Sequence, residues 1–319
     1  MLDPFPAPAP QPRAGLRLLR WAGTVLAMVV LALALYSLVR NLGGLSQAEI
    51  AAAFHAVPAR RLWLCASLTG ISFAALGSYD AIAVRSMGLL RVSLARSWFA
   101  GAAATAISST LGFHALTATA VRYRLFTRSG LTGLDVAGVT AFSWTALAFG
   151  FISVLAAAML VSPSSGGSQR AIGLALLFIL LAGIRLLGTG RQILFWDHSL
   201  KLPSTRAALA QMGLGAVEMA SAVAALYVLI PDAAAASFPA FCALYIGAVL
   251  LGIASHAPGG LGVFEAAMLV GSPAQGRAGI LAALLLYRVI YNLGPFVLAA
   301  AALAGEEARA ALSSTADKP

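Results

Sequence analysis

Charged residues are scarce in this chain, and their scarcity excludes a soluble globular protein. They make up 10% of its 319 residues, whereas a soluble domain carries roughly 25%. Such a chain lacks the polar side chains needed to cover a surface that faces water.

Cysteine is also rare. Cys65 and Cys242 each lie inside an apolar stretch, without a partner at metal-ligand spacing. We interpret both as small hydrophobic residues packed in the interior.

Catalytic and nucleotide-binding motifs are missing as well. The sequence contains no G-x-S-x-G, no H-E-x-x-H and no Walker A string, and its four histidines are scattered. We therefore expect no enzyme activity, no metal and no cofactor, and ATP-driven pumping by this chain alone is unsupported. A membrane-embedded transferase is a weaker interpretation, because no nucleophile or metal set is visible.

Long apolar runs dominate the sequence instead. Apolar residues make up 60% of the chain, and its mean hydropathy is +0.89. A membrane-spanning helix needs about 20 apolar residues, and the alternation typical of a β-barrel is absent. These runs predict an all-α, polytopic transmembrane helical bundle. We predict seven full spans, at residues 21–39, 62–83, 136–161, 171–187, 207–230, 238–254 and 278–304.

Positive charge marks the ends of these spans. The net charge is +10, and 19 of the 21 basic residues are arginine. Their position favours membrane orientation and anionic lipid headgroups over nucleic acid. We predict a multi-pass protein of the bacterial plasma (inner) membrane with a cytoplasmic N-terminus. A disordered Pro-rich arm (1–12) precedes one transmembrane domain (13–304) and a polar tail (305–319).

The linkers between the spans differ in charge. Residues 162–169 and 231–237 contain no basic residue and are predicted to be external, whereas 188–206 are predicted to be cytoplasmic. The linker 40–61 looks helical over 46–57. Its Arg40, Arg60 and Arg61 argue against an external location.

Two segments rich in small residues interrupt the pattern of spans. Segment 97–120 consists largely of Ala, Gly, Ser and Thr, and arginines flank it on both sides. A turn back near Leu111-Gly112 would place both arginine clusters in the cytoplasm, so we predict a re-entrant hairpin.

Segment 255–271 is broken by Pro258-Gly259-Gly260 and Gly262. It either re-enters or crosses fully, which would reverse the side of the C-terminus. Paired interruptions are typical of a transporter substrate site, although small residues also serve close helix packing.

Ionisable residues within apolar segments are costly and are candidates for function. Asp80 follows Gly-Ser-Tyr near the end of a span and either pairs with Arg85 or contacts a headgroup. Glu218 has no charged residue at helical spacing, which favours a functional role over a protonated glutamate bonded to a neighbouring helix. Arg288 needs an internal partner. The full set of such residues is Asp80, His114, Glu218, His256, Glu265 and Arg288.

The string HAPGGLGVFE, at 256–265, is the most specific in the sequence. Its glycines permit positive φ and close backbone approach, and Pro258 ends the preceding helix. Free N–H groups of Gly259, Gly260 and Gly262 would form a phosphate site at the start of the next helix. Glu265 would begin that helix, and its alternative role is that of a helix cap.

A second candidate for phosphate recognition is Arg122-Tyr123-Arg124. Paired guanidinium groups suit bidentate phosphate binding better than lysines would. The alternative is ordinary positive-inside charge. Arg288 and Tyr291, from Tyr287-Arg288-Val289-Ile290-Tyr291 in the last span, complete the predicted headgroup site.

Three strings resemble one known family. They are Leu111-Gly112-Phe113 running on to VRYRLF (121–126) with Gly130; HAPGGLGVFE; and LYRVIY (286–291) before Pro295. Together they are similar to the lysylphosphatidylglycerol synthase transmembrane-region family, the flippase half of the multiple peptide resistance factor, over about residues 15–305. The resemblance implies movement of a phospholipid, in the best-known members aminoacylated phosphatidylglycerol, from the inner to the outer leaflet.

The resemblance leads to a functional hypothesis. We expect a lipid flippase or scramblase in which Arg122, Arg124 and Arg288 engage lipid phosphate. Glu218 and Glu265, with Asp80, would engage a cationic headgroup or each other. The expected partners are a phospholipid substrate, anionic membrane lipids and a separate lipid-modifying synthetase, because only 15 residues follow Ala304. The alternative is a non-transporting membrane subunit that anchors or regulates a lipid- or polyprenyl-modifying enzyme.

Overall fold

The computed structural model describes residues 47–316 except 113, 163–165, 191, 196–197, 202, 256 and 274–275. The predicted arm 1–12, the span 21–39, the cytoplasmic N-terminus, His256 and the last residues of the tail lie outside the described residues. Within them the chain is a bundle of helices, which confirms the predicted fold class.

Eleven α-helices and one short hairpin make up the described part of the chain. The elements are α1 Gln47–His55, α2 Ala59–Ser86, α3 Leu94–Leu111, α4 His114–Thr127, α5 Gly133–Val161, α6 Gly167–Leu187, β1 Gln192–Phe195, β2 His198–Lys201, α7 Thr205–Tyr227, α8 Phe238–Ala254, α9 Val263–Gly271, α10 Arg277–Tyr287 and α11 Gly294–Ala316. A π-helical segment, Arg288–Leu293, joins α10 to α11, and 3₁₀ turns stand at Asp232–Ala234 and Pro258–Gly260.

Five of the predicted spans correspond to long apolar helices. Helices α2, α5, α6, α7 and the continuous Arg277–Glu306 are long and apolar enough to cross a membrane. Helix α8, at 17 residues, is shorter. The linker 188–206 contains the antiparallel pair β1–β2, a small strand element that the sequence pattern did not predict.

Arg61 at the start of α2 accounts for one of the basic residues of linker 40–61. Its guanidinium donates to the Ile230 carbonyl at 3.0 Å and to the Asp232 carboxylate at 2.6 and 2.8 Å. The start of α2 and the loop after α7 therefore lie at the same end of the bundle. The charge of Arg61 is used to hold this end together, so it gives little information about orientation.

The first interrupted segment folds as the predicted hairpin. Helix α3 ends at Leu111, and Gly112 turns the chain with a φ of 83°, a value that favours glycine. Gly101 in α3 and Arg122 in α4 both lie against Asp80, so the two arms run antiparallel. The open end of this hairpin lies beside the C-terminal end of α2.

The second interrupted segment differs from its predicted form. Gly252 lies against Gly260, and Gly271 packs on Leu244, so α8 and α9 are the two arms of one hairpin. Gly276 then lies beside Ala234, which places the chain back at the end from which α8 started. We predicted 238–254 as a full span, and the structure makes it an arm that turns back. Apolar length alone does not distinguish the two cases.

The two hairpins therefore enter the bundle from opposite ends and meet at their tips. The Gly259 Cα lies so close to α3 that a Cβ there would be 3.1 Å from the Ser109 carbonyl oxygen and 3.2 Å from that of Thr110. Gly259 itself has a φ of 58°. The last span passes this junction, where the Thr110 hydroxyl donates to the Asn292 carbonyl at 3.4 Å. Opposed interrupted segments of this kind are typical of transporters.

Candidate functional site

A cavity of about 520 Å³ lies between the two hairpins and the long helices. Six of the residues predicted from the sequence to bind a headgroup or to carry intramembrane charge contribute to its wall. They are Arg122, Glu218, Gly259, Gly260, Arg288 and Tyr291. His114 at the start of α4 lines it too. The structure thus brings together residues from α4, α7, the second tip and the last span.

Asp80 and Arg122 form a buried ion pair on one wall. Arg122 Nε donates to Asp80 Oδ2 at 2.8 Å, and Nη2 donates to Oδ1 at 3.0 Å. The Ser143 hydroxyl of α5 donates to Oδ1 at 2.5 Å. Asp80 is fully buried and Arg122 is 4% exposed. The partner of Asp80 is therefore Arg122 rather than Arg85, which corrects one of the two alternatives above.

Arg288 and Glu265 form the second ion pair, at the junction of the tips. Arg288 Nε donates to Glu265 Oε1 at 2.5 Å, and Nη1 donates to the Gly259 carbonyl at 2.6 Å. The guanidinium also lies 5.8 Å from the centre of the Phe264 ring, within the range of a cation–π contact. Glu265 is therefore the internal partner that the sequence analysis required for Arg288.

Glu265 also caps α9, as its alternative role predicted. Its Oε2 accepts the Gly262 N–H at 2.8 Å, while the Gly260 N–H donates to the Ala257 carbonyl at 2.9 Å. Two of the glycine N–H groups that we expected to be free for phosphate are thus bonded within the turn. Arg122 and Arg288, which line the cavity, are the charged donors that can meet a phosphate there.

Glu218 has no cationic partner in the part of the chain that the structure describes. It is 4% exposed and faces three hydroxyl groups. Oε1 lies 3.4 Å from the Ser72 and Tyr291 hydroxyls, and Oε2 lies 3.5 Å from the Tyr79 hydroxyl. The Ser72 and Tyr291 hydroxyls bond each other more closely, at 2.7 Å. These distances to the carboxylate are long for O–H···O bonds.

Tyr123, Arg124 and Gly262 do not line the cavity, and several lining residues were not predicted. Tyr123 is 53% exposed, and Arg124 is exposed on the same helix. The unpredicted lining residues include Ser143 and the aromatic residues Tyr79, Trp144, Tyr245, Phe264 and Tyr287. Ser72, which was not predicted either, contacts Glu218 from behind the wall. Tyr79 directly precedes Asp80, and Tyr287 lies in a string already noted. Ser143 gave no signal, because serine is ordinary in an apolar helix.

The mouth of the cavity is apolar. Leu116 of α4, Trp144 of α5 and Ile253 of α8 line the cavity and are 74%, 46% and 45% exposed on the outer surface. A helical protein exposes such side chains where it faces lipid. The cavity, whose wall is largely apolar apart from side chains such as Arg122, Glu218 and Arg288, therefore opens sideways between helices through an apolar rim.

Comparison with known proteins gives a family and a location. The chain is 33% identical over 273 residues to the uncharacterized protein slr0712 of Synechocystis sp., covering 81% of this chain and 83% of that protein. The chain belongs to the family of slr0712. It is also 29% identical over 192 residues to the inner membrane protein YbhN of Escherichia coli, over 56% of this chain and 59% of YbhN. No protein-family model matches the chain. With its apolar helices, this slr0712-family chain is an integral inner-membrane protein.

Proposed function

We propose that this chain moves a phospholipid between the leaflets of the inner membrane, with the headgroup in the cavity and the acyl chains outside. One observation carries the proposal: a cavity that contains two arginines opens sideways through the apolar rim of Leu116, Trp144 and Ile253. A water-soluble substrate gains nothing from an apolar lateral opening, whereas a lipid needs one. The cavity volume lies in the range of small-molecule sites, about 300–1,000 Å³.

The arginines supply the contacts for lipid phosphate. Arg122 uses Nε and Nη2 for Asp80, and Arg288 uses Nε and Nη1 for Glu265 and Gly259. Each guanidinium keeps one terminal nitrogen for a phosphate oxygen, which arginine recognises through charge-assisted hydrogen bonds. Each arginine is already neutralised by its own carboxylate. The cavity therefore does not hold the phosphate with an uncompensated positive charge, and the headgroup can leave again. The lysylphosphatidylglycerol resemblance makes aminoacylated phosphatidylglycerol our first substrate to test.

Leaflet exchange in proteoliposomes tests this proposal. We expect the purified protein to accelerate exchange of fluorescent phosphatidylglycerol or its lysyl derivative above that in empty vesicles. Arg288→Lys should slow exchange by about tenfold, because lysine keeps the charge but loses the forked geometry. Arg170→Lys, an exposed arginine at the start of α6, is the matched control. Wild-type exchange equal to that of empty vesicles, from correctly folded protein, would overturn the proposal.

The same experiment separates the alternative function. A membrane subunit that anchors or regulates a lipid- or polyprenyl-modifying enzyme would bind lipid in this cavity without moving it. Co-purification of a synthetase, together with exchange no faster than in empty vesicles, would favour that role. We propose no enzyme activity and no cofactor for the chain itself.

A further inference from the structure

Glu218 is a buried carboxylate whose charge nothing described in the chain compensates. The cavity has three carboxylates in or behind its wall, and two of them are each bonded to an arginine: Asp80 to Arg122 and Glu265 to Arg288. Glu218 contacts only hydroxyl groups. An isolated charge at membrane depth is costly, so a carboxylate there takes up a cation or a proton. The three carboxylates and two arginines leave one negative charge, which one bound cation or proton would neutralise.

The hydroxyl oxygens lie at distances from the Glu218 carboxylate that suit a small hard cation. Two carboxylate oxygens and the hydroxyls of Ser72, Tyr79 and Tyr291 form an all-oxygen set, the ligand type that such cations prefer. Ligand oxygens about 2.4 Å from a calcium-sized ion lie about 3.4 Å apart when they stand at right angles. The oxygens of Ser72 and Tyr291 lie 3.4 Å from Oε1 and that of Tyr79 lies 3.5 Å from Oε2, distances that are too long for strong hydrogen bonds. The Ser72 and Tyr291 hydroxyls, hydrogen-bonded to each other at 2.7 Å, move apart when both bind the ion.

The surroundings of Glu218 contain tyrosines but no second acidic group in contact with it. Helix α2 presents Ser72 and Tyr79, and the π-helical segment presents Tyr291. The other titratable or charged groups on the cavity wall are His114, Arg122, Tyr245, Tyr287 and Arg288, from α4, α8 and the last span. Both of these arginines are engaged with their own carboxylates.

The Glu218 cluster is connected to the junction of the two tips. Tyr291, which bonds Ser72 at 2.7 Å, lies in the same π-helical segment as Arg288, which binds Gly259 and Glu265. A π-helical turn is rare and occurs frequently at functional sites. A change in the position of the Tyr291 hydroxyl therefore acts on the segment that holds the second tip.

We propose that Glu218, with Ser72, Tyr79 and Tyr291, binds one monovalent cation, a proton or a sodium ion, whose gradient drives lipid movement. The ion enters from the cavity, neutralises the carboxylate and draws Tyr291 toward Glu218, and its release reverses the change. Coupling rests on the proposed lipid translocation, whereas ion binding does not. Coupling to an ion gradient would also supply the energy for lipid movement, because the sequence contains no nucleotide-binding motif.

Ion binding is tested on the purified full-length chain in detergent, without any lipid transport. The thermal unfolding midpoint is measured in sodium chloride and in choline chloride at equal ionic strength, and across pH 5.5–8.5. A ligand that binds the folded state should raise the midpoint by about 3 °C or more near saturation. We expect Glu218→Gln, which keeps the shape of the side chain, to remove this response. Asp232→Asn, an exposed carboxylate at Arg61, should keep it.

The pattern of responses identifies the ion. A sodium-dependent rise that Glu218→Gln removes assigns sodium, and a pH-dependent change that it removes, without a sodium effect, assigns the proton. If Glu218→Gln responds to both variables as the wild type does, the site is overturned. A change in preference between phosphatidylglycerol and its lysyl derivative, with unchanged ion response, would assign the carboxylate to the headgroup and overturn the proposal too.

Coupling is tested in proteoliposomes as a ratio of exchange rates with and without an imposed gradient of the assigned ion. We expect a ratio of about threefold or more for the wild type and for Asp232→Asn, and a ratio near one for Glu218→Gln. Wild-type exchange with a ratio near one overturns coupling and leaves lipid translocation standing. Wild-type exchange no faster than in empty vesicles overturns lipid translocation, while the unfolding measurements still decide whether Glu218 binds an ion.

Discussion

The two hairpins use the same chemistry in opposite ways. In the first, the hairpin carries the arginine, and Asp80 comes from the neighbouring α2. In the second, the hairpin carries the carboxylate, Glu265, and the arginine comes from the last span. The first pair is sealed, with the side chain of Arg122 5% exposed, whereas the side chain of Arg288 is 17% exposed.

This difference indicates a division of labour between the pairs. Asp80 receives two bonds from Arg122 and a third from Ser143, so helices α2, α4 and α5 are joined at one point. Arg288 instead divides its bonds between a carboxylate and a backbone carbonyl of the turn at Gly259. A contact to a turn that contains three positive-φ glycines is easier to rearrange than one between three helices. We infer that the first pair is a fixed support and the second is the adjustable one.

The largest expected effect comes from breaking the first pair. Asp80→Ala leaves Arg122 buried without a counter-ion, which costs about 3–5 kcal/mol of folding free energy. We expect a sharp loss of folded protein in detergent, measured by size-exclusion profile and thermal unfolding. The double variant Asp80→Leu/Arg122→Met removes both charges and should recover most of the loss. Equal instability of single and double variants would show that the pair is not the support inferred here.

The Asp80–Arg122 pair also shows where reasoning from sequence ends. Asp80 was recognised as an unusual carboxylate, and one suggested partner, Arg85, was the nearest arginine along the chain. The partner found lies 42 residues away, because antiparallel packing of α2, α3 and α4 brings the two together. A sequence pattern on one helix carries no information about which helix lies opposite. Glu218 was recognised for the same reason, its lack of a local partner, while its hydroxyl neighbours depend on tertiary packing.

The hairpins were predicted with unequal success for a physical reason. The first has arginines on both flanks and a glycine that turns the chain, so charge and backbone chemistry agree on a hairpin near Gly112. In the second, the break at 258–262 was evident, but α8 has the apolar length of a short span. Its partner arm, α9, has only nine residues. Contacts such as Gly252 with Gly260 were needed to recognise both as one hairpin.

An intermediate effect is expected at the junction of the two tips. Gly259→Ala places a Cβ 3.1 Å from the Ser109 carbonyl oxygen and imposes positive φ on a residue with a side chain, at a cost of about 1–3 kcal/mol. We expect the thermal unfolding midpoint to fall by several degrees. We also expect the rate of lipid exchange to change by a larger factor than the loss of folded protein alone would produce. Gly70→Ala, where a Cβ meets nothing within 4 Å, is the control. Equal effects of both variants would argue against a close tip-to-tip contact.

The smallest effect on lipid exchange is expected at Tyr123 and Arg124, which the sequence suggested as headgroup ligands and which the structure places outside the cavity. Tyr123 and Arg124 follow Arg122 directly, but both are exposed on α4 and neither lines the cavity. Tyr123→Phe and Arg124→Gln should therefore leave lipid exchange within about twofold of the wild type, since surface charges contribute little. A loss of exchange in Arg124→Gln as large as in Arg288→Lys would mean that the headgroup also contacts the outer face of α4. The lipid path would then also run along the outer face of the first hairpin, outside the cavity.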